Sequence, residues 1–257
     1  MTEAPAFFAA PDGRRLAHVR RAASAAQAGR PGVVFLGGFQ SDMTGSKALA
    51  LDAWALREGR AFLRLDYTGH GASSGLFEEG CLGDWARDAL DLFDALTEGP
   101  QILVGSSMGG WIGLLLARAR PERVAGFLGV AAAPDFTEDL VARRMTAAQH
   151  AEMAAQGRVV VRNPHDPERP TVYTRRLIED GRENLVLRSP LAISGPVRLL
   201  QGTADSEVPV STALALLEHL ESPDARLILI RGAGHRLSEP AELALLEETL
   251  KEIDALS

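Results

Sequence analysis

Ser107 is the central serine of a Gly-x-Ser-x-Gly pentapeptide, Gly105-Ser106-Ser107-Met108-Gly109. A short, mostly apolar run, 101–104, comes directly before the pentapeptide, and a run with helical periodicity follows it. So tight a turn needs glycine two positions either side of the serine, because side chains there would collide with the neighbouring strand and helix. The pattern predicts that the Ser107 hydroxyl is exposed at the carboxyl end of a strand, where it can act as a nucleophile.

A serine hydroxyl needs a base within hydrogen-bond reach before it can attack at neutral pH. Of the six histidines, His235 lies in a glycine-flanked loop, 231–235, between the last predicted strand and the last predicted helix, and we assign it as the base. His70 is the nearest rival, but its loop, 66–71, is interpreted as a brace beneath the site. The remaining histidines are assigned to surface or packing positions: His18, His150, His165 and His219.

The base in turn needs a carboxylate that orients it and stabilises its charged form. Asp205 follows the apolar run 197–200 and therefore stands at the carboxyl end of another predicted strand. Glu207, two residues later, is the close alternative. Three other carboxylates fall at the wrong place in the chain order: Asp42, Asp66 and Asp135. We therefore predict a serine, aspartate and histidine set in the order Ser107, Asp205, His235.

The elements that must position these residues follow a simple alternation. From Pro31 onward, short apolar runs alternate with segments of helical periodicity, which predicts an α/β fold with a mostly parallel sheet flanked by helices. Two earlier runs flank the turn Pro11-Asp12-Gly13 and predict an antiparallel hairpin. Eight strands are predicted in all: 7–9, 16–21, 33–36, 61–65, 102–104, 124–130, 197–200 and 227–230. Helices are predicted over 47–58, 82–96, 108–119, 210–220 and 239–255.

The segment 137–190 interrupts this alternation. Its pattern predicts a helix over 138–156, a small hairpin of 159–161 with 171–173 around a proline-rich tip, and a helix over 175–187. Insertions of this size between regular units are more often functional than passive. We therefore predict a body formed by 1–136 and 191–257 and an inserted cap, 137–190, within a single structural domain.

Composition limits the possible partners. The 257 residues are 46% hydrophobic and 24% charged, which is typical of one soluble globular domain. The chain has 27 basic and 34 acidic residues, which gives a net charge of −7. This negative charge argues against a nucleic acid or an anionic membrane surface as a partner. We predict a cytoplasmic protein, because the chain has a single cysteine, Cys81, no secretion signal in 1–10 and no apolar stretch of membrane length. We expect it to be a monomer or a homodimer. No metal or nucleotide cofactor is expected, because ligand spacings and phosphate-cradling motifs are missing.

In motif and order, the sequence resembles the α/β-hydrolase superfamily over nearly its whole length. The matching motifs are the elbow 105–111, the acid loop 205–209 and the loop Gly232-Ala233-Gly234-His235. The resemblance implies a serine hydrolase with an acyl-enzyme mechanism, and it implies that the backbone N–H groups of Phe39 and Met108 form the oxyanion hole. Many members carry His-Gly before Phe39, whereas this chain has Gly37-Gly38, so a side chain that often braces the loop is missing.

Within the superfamily, the sequence is most similar to small-capped acyl-protein thioesterases and acyl-glucuronide esterases. The elbow, the cap stretch 174–181 and His235-Arg236 carry this similarity. It implies an acyl ester or thioester as the small-molecule substrate. Residues assigned to substrate contact are Gly38, Gln40, Arg175 and Arg176.

Several alternatives stay open at this point. The apolar residues around Leu140, Met145 and Met153 fit either an acyl-chain pocket or simple packing. The arginines of the cap fit either an anion contact or a solvated face: Arg162, Arg175, Arg176 and Arg182. A non-catalytic scaffold, or C–C or peroxide chemistry on the same three residues, is the alternative function.

Overall fold

A computed structural model of the protein describes residues 3–162, 168 and 170–257. The strands in this part of the chain are β1 (Ala6–Ala9), β2 (Arg15–Arg21), β3 (Gly32–Leu36), β4 (Phe62–Leu65), β5 (Gln101–Ser106), β6 (Val124–Val130), β7 (Arg158–Val161), β8 (Thr171–Thr174), β9 (Leu191–Ala192), β10 (Val197–Gly202), β11 (Leu220–Glu221) and β12 (Ala225–Ile230). The α-helices are α1 (Ser46–Glu58), α2 (Leu82–Leu96), α3 (Met108–Ala119), α4 (Ala147–Gln156), α5 (Arg175–Glu183), α6 (Val210–His219) and α7 (Pro240–Leu256). A π-helix spans Thr137–Ala142, and short 3-10 turns span Ala25–Gln27, Phe77–Glu79 and Pro121–Arg123.

Eight of the described strands form one sheet in the order β1-β2-β4-β3-β5-β6-β10-β12. Strand β2 runs antiparallel to both β1 and β4, and every other neighbouring pair is parallel. The predicted α/β fold and its antiparallel first hairpin are confirmed. Because β3, β5, β10 and β12 run parallel, the loops that follow them meet at one edge of the sheet.

Helices cover both faces of the sheet, which is why the central strands are apolar on both sides. Helices α1 and α7 pack on one face, with Trp54 and Leu250 in the core there. Helices α2 and α3 pack on the other, where Trp85 and Trp111 are fully buried. A sheet packed on both sides holds the loops at its carboxyl edge in fixed positions.

The interruption of the alternation lies between β6 and β10, as predicted, but its first helix is in two pieces. The first piece contains the π-helix and ends at Arg144. Thr146 then starts α4 with a capping box: its hydroxyl accepts from the Gln149 N–H, and the Gln149 side chain accepts from the Thr146 N–H. This reciprocal cap satisfies two N–H groups that a continuous helix would have paired differently. The helix predicted over 138–156 is therefore wrong at its middle, and α5 ends at Glu183, earlier than predicted.

Strands β7 and β8 form the predicted small hairpin, with Val159 opposite Tyr173. Its proline-rich tip falls largely outside the described residues. Arg158 at the start of β7 pairs with Glu78 at 2.8 Å, so the hairpin also contacts the 3-10 turn Phe77–Glu79, which lies outside the inserted segment. Strands β9 and β11 pair in parallel as a separate two-residue ladder.

Asp135 ties the two ends of this inserted segment together. It is fully buried just after β6, and its carboxylate accepts hydrogen bonds from the N–H groups of Val186 at 2.8 Å and Leu187 at 2.9 Å. The Arg188 guanidinium adds a third donor at 3.2 Å. Burial raises the pKa of Asp135, although these donors favour the ionised form. The division at 137 and 190 stays a prediction, to which this tie gives a physical basis.

Candidate active site

Three side chains from three different loops form a continuous chain of hydrogen bonds. The Nε2 atom of His235 lies 3.0 Å from Ser107 Oγ, and its Nδ1 atom lies 2.9 Å from Asp205 Oδ2. Because the Asp205 carboxylate accepts, Nδ1 carries the proton, and the lone pair of Nε2 faces the serine hydroxyl. Ser107 follows β5, Asp205 follows β10 and His235 follows β12, so the parallel sheet brings together residues that are far apart in sequence.

The local backbone explains how Ser107 is presented. It has a φ of 54°, which is a strained conformation for a residue other than glycine. A side chain at Gly105 would collide with the Gly109 carbonyl, and one at Gly109 would collide with the Leu36 carbonyl. The Ser107 N–H donates to the Val130 carbonyl at 3.0 Å, which fixes the turn to the neighbouring strand. The Ser107 hydroxyl is thereby held out of the sheet, at the start of α3.

Asp205 is held in its ionised form. Its side chain is fully buried, and burial by itself would raise its pKa. The hydrogen bond and charge of His235, with N–H donors from Val208 and Glu207 at 2.9 Å each, outweigh burial and hold the pKa of Asp205 below its ordinary value. The Gln201 side chain adds a fourth donor at 3.0 Å. Asp205 is therefore a carboxylate at neutral pH.

The alternative acid, Glu207, has a different position. Its Oε2 atom lies 3.8 Å from Nε2 of His235, on the side of the ring that faces Ser107, and its side chain is 38% exposed. An orienting carboxylate must instead bind the Nδ1 proton. The geometry therefore favours Asp205 over Glu207 for that role.

Two backbone segments lie beside Ser107, the start of α3 and the loop at Gly38. Met108 is the first residue of α3, and the first-turn N–H groups of a helix have no partner within it. The Phe39 N–H has no acceptor among the residues that the structure describes. A side chain at Gly38 would meet Ser107 Cβ at 3.4 Å, so this loop runs directly alongside the serine. An oxyanion hole needs two such N–H donors, and the assignment of Phe39 and Met108 to it stays a prediction.

A cavity of about 670 Å³ opens at this point and includes Ser107 and His235 in its wall. Gly38 and Gln40, predicted as substrate contacts, both line it. The wall contributed by the end of β6 and the inserted segment is largely apolar: Phe136, Leu140, Val141, Met145, Val159 and Tyr173. Sequence reasoning missed most of these, because the hydrophobic residues of a cap have the same periodicity as those of a core.

The structure does not bring Arg175 and Arg176 to this cavity. Arg175 donates to the carbonyls of Met153 at 2.9 Å and Ala154 at 2.8 Å. Arg176 pairs with Asp84 at 2.6 Å and also donates to the Glu79 carbonyl. Both guanidiniums therefore hold α5 against its neighbours. Among the four arginines considered for an anion contact, only Arg162 lines the cavity.

Lys47 lines the cavity and was not anticipated. Its ammonium donates to the backbone carbonyl of Arg236, the residue after His235, and so ties α1 to the histidine loop. Burial, together with the nearby charge of Arg236, lowers the pKa of Lys47 to about 8. One of only two lysines in the chain therefore lies at the site, but no sequence motif marks it.

His70 does not line the cavity. It is 3% exposed, and the rings of Tyr67, Phe77 and Trp85 surround it at centroid distances of 5.0 to 5.4 Å. Its Nδ1 atom lies 3.2 Å from the Thr68 carbonyl, so Nδ1 carries the proton. Burial lowers the pKa of His70 from 6.5 to about 4. This environment fits the predicted brace. His165 lies outside the described residues, and His18, His150 and His219 are absent from the cavity wall.

The pKa of His70 predicts a pH-dependent stability. Because the folded-state pKa is the lower one, the unfolded chain binds the proton first, and stability falls as pH drops from about 6.5 towards 4. The expected contribution is roughly 2–3 kcal/mol of unfolding free energy between pH 7.5 and 4.5. Urea unfolding at the two pH values should show a smaller difference for His70→Asn, which keeps a donor but does not titrate. An equal difference in both proteins would contradict the assignment.

The cysteine plays no nucleophilic part in this geometry. Cys81 is buried, its thiol lies 3.1 Å from Asp84 Oδ2, and burial raises its pKa to about 12. It is therefore a thiol at neutral pH. Within the described ranges, no three His, Cys, Asp or Glu side chains are grouped as a metal site would require. None of the described helices is long and apolar enough to cross a bilayer.

Comparison with known proteins agrees with this architecture. Residues 30–240 match the family described as serine aminopeptidase, S33. The Homo sapiens protein named palmitoyl-protein thioesterase ABHD10, mitochondrial, is 38% identical over 230 residues, which are 88% of this chain and 74% of that protein. A putative hydrolase from Agrobacterium vitis has a TM-score of 0.91 at 38% identity, over 98% of this chain and 99% of the other. Mouse alpha/beta hydrolase domain-containing protein 10 has a TM-score of 0.89 at 34% identity, over 99% and 100%.

These relatives contradict the expected cytoplasmic location. The human protein and its counterparts from Rattus norvegicus, Pongo abelii, Mus musculus and Bos taurus are all described as mitochondrial. Cysteine usage separates reducing compartments from the secretory route, but it does not distinguish one reducing compartment from another. The family and the fold are nevertheless clear from identity, coverage and superposition together. The chain belongs to the serine aminopeptidase S33 family of α/β hydrolases, and it is a hydrolase enzyme.

Proposed function

We propose that this enzyme hydrolyses carboxylic esters or thioesters through an acyl-enzyme formed on Ser107. The observation that carries the proposal is the hydrogen-bond chain from Ser107 through His235 to Asp205, with both bonds at 3.0 Å or shorter. In this arrangement His235 is the base, and Asp205 orients it and stabilises its charged form. The Phe39 and Met108 N–H groups form the oxyanion hole.

In the first half of the reaction, His235 Nε2 takes the Ser107 proton as Oγ bonds to the acyl carbon. The carbonyl oxygen becomes an anion that accepts from the Phe39 and Met108 N–H groups. The bond to the leaving alkoxide or thiolate then breaks, and His235 returns the proton to that group. In the second half, His235 takes a proton from water, the hydroxide attacks the acyl carbon, and the acid leaves as Ser107 Oγ regains its proton.

The ionised state of Asp205 is important in both halves. When His235 holds two protons, its positive charge lies 2.9 Å from a buried carboxylate, in surroundings where charges interact more strongly than in water. The same carboxylate keeps the proton of neutral His235 on Nδ1. Three other donors, the Gln201 side chain and the N–H groups of Glu207 and Val208, hold Asp205 itself, so it cannot rotate away from the histidine without breaking them.

The cavity supports an acyl substrate. Its wall includes both the apolar side chains of the inserted segment and Ser107, so that a hydrocarbon chain can lie against the inserted segment while the carbonyl reaches Ser107. We accordingly treat 137–190 as a cap on a body of 1–136 and 191–257. The mammalian relatives are named palmitoyl-protein thioesterases, which favours a thioester with an acyl chain.

Two assays test the proposal together. A fluorophosphonate probe should label the wild-type enzyme but not a variant that lacks the Ser107 hydroxyl. A panel of p-nitrophenyl esters and acyl thioesters of graded chain length should show turnover with a clear chain-length optimum, because the apolar wall has a finite extent. A flat response near background on both series would contradict the assignment and favour C–C or peroxide chemistry on the same residues.

A further inference from the structure

The loop that carries Phe39 is attached to the inserted segment by a side-chain hydrogen bond. Gln40 Oε1 accepts from the Thr171 hydroxyl at 3.0 Å, and Gln40 Nε2 lies 3.4 Å from the Pro170 carbonyl. Gln40 has a φ of 57°, which is strained for a residue other than glycine. Such a conformation persists only where its surroundings hold it, and here the surroundings include the start of β8.

A second attachment runs through the neighbouring side chain. The Phe39 ring stacks on Tyr173 of β8, with centroids 5.7 Å apart and planes inclined by 18°. Two further rings make edge-to-face contacts with the Phe39 ring: Phe77, with centroids 4.8 Å apart, and Phe136, with centroids 5.7 Å apart. Stacked and edge-on aromatic contacts have defined geometry, so they fix the direction of the ring. Strand β8 therefore holds both Phe39 and Gln40.

Within the loop, one tight turn sets the direction of the Phe39 N–H. Gly37 and Gly38 have no side chains, and no histidine braces this position. The Gly38 carbonyl belongs to the same planar peptide as the Phe39 N–H, and it accepts from the Ser41 N–H at 3.2 Å and the Ser41 hydroxyl at 2.7 Å. The direction of the N–H therefore depends on the tight turn from Gly38 to Ser41. Gln40 is inside that turn.

We propose that strand β8 positions the oxyanion loop, Thr171 acting through Gln40 and Tyr173 acting through Phe39. This inference rests on the proposed function, since it concerns how the Phe39 N–H is aimed at the oxyanion. It makes Thr171, Gln40 and Tyr173 positioning residues. The inserted segment thereby takes part in transition-state stabilisation in addition to covering the cavity.

The decisive variant is Thr171→Val, which keeps the shape of the side chain and removes its O–H donor. A whole oxyanion donor is worth about 10²–10³ in kcat, so a misaligned one is expected to lower kcat about tenfold, with KM changing less than about twofold. Thr171→Ser restores the donor and is expected to restore kcat. Val160→Ala, at an exposed position of the same hairpin outside the cavity wall, is the matched control.

Three further readouts distinguish positioning from a structural role. Affinity for a trifluoromethyl ketone, whose adduct carries the oxyanion, should fall in the same ratio as kcat/KM, while inhibition by the alcohol product, which has no acyl oxygen, should not change. Gln40→Ala combined with Thr171→Val should cost no more than either change alone, since both break one contact. Tyr173→Leu should also lower kcat about tenfold, as another loss of donor alignment, and Tyr173→Phe, which keeps the ring, should restore most of it.

The outcomes are separable. Ser107-dependent turnover with kcat unaffected by Thr171→Val would overturn the positioning role and leave the proposed function standing. A loss in Thr171→Val that Thr171→Ser does not restore, or one confined to KM or Tm, would overturn it as well. Lack of Ser107-dependent turnover in the wild-type protein would overturn both.

Discussion

Replacing Ser107 with alanine is expected to lower kcat for ester and thioester hydrolysis by at least about 10⁴-fold. The change removes the atom that we propose forms the acyl-enzyme, while His235 and Asp205 keep their positions. Substrate binding should change little, because the cavity wall is formed by other side chains. Steady-state kinetics with a thioester and an ester of equal chain length measure the effect on both substrate classes.

Ser106→Ala is the matched control for this variant. Ser106 is the neighbouring serine at the end of β5, it is 8% exposed, and its hydroxyl takes no part in the hydrogen-bond chain. Kcat should stay within about threefold of wild type, as for a change that leaves the reacting groups untouched. Turnover that survives in Ser107→Ala, or labelling by a fluorophosphonate that persists in it, would show that another nucleophile is used.

Replacing Asp205 with asparagine is expected to lower kcat at neutral pH by about 10⁴-fold. The asparagine amide presents N–H groups where the carboxylate accepted, so Nδ1 of His235 must lose its proton and Nε2 must take it. Nε2 then has no lone pair for the Ser107 hydroxyl. The backbone donors of Glu207 and Val208 hold either side chain in place, so the fold should be kept, which circular dichroism and urea unfolding can verify.

Glu207→Gln serves as the control for the acid. Its carboxylate lies 3.8 Å from the opposite ring nitrogen, and loss of its charge is expected to change kcat less than about tenfold. If Asp205→Asn were nearly as active as wild type and Glu207→Gln were inactive, the acid would be Glu207. Measuring both variants on one substrate therefore decides the assignment.

Much of this site can be predicted from local sequence. The elbow around Ser107 is readable because the strained turn excludes side chains at Gly105 and Gly109, so the requirement shows directly in the residue types. The strands that precede Ser107 and Asp205, β5 and β10, are readable because a strand covered on both faces is a short, mostly apolar run. Since parallel strands end at one edge of the sheet, the order of the motifs already implies that their residues meet.

The residues of the inserted segment were less predictable. The arginines at 175 and 176 were assigned to substrate by type, yet their guanidiniums bind carbonyls and Asp84 within the packing of α5. The sequence pattern predicts a single helix over 138–156, but Thr146 and Gln149 form a reciprocal cap that starts a new helix. Residues such as Thr146 and Gln149 mark a helix start only weakly in a sequence, because the same residue types are also tolerated inside helices.

The sequence by itself determined the fold, and it predicted the nucleophile, the base and the acid of the candidate site. Each prediction depends on a local rule: a backbone position that has no room for a side chain must be glycine, and a continuous apolar run must be buried. Only the tertiary structure decided which residues of the inserted segment face the cavity, and it alone revealed that Thr171 and Tyr173 reach Phe39 and Gln40 across about 130 residues of sequence. Contacts of that kind depend on how two packed units are placed relative to each other, and no periodicity within either unit encodes that placement.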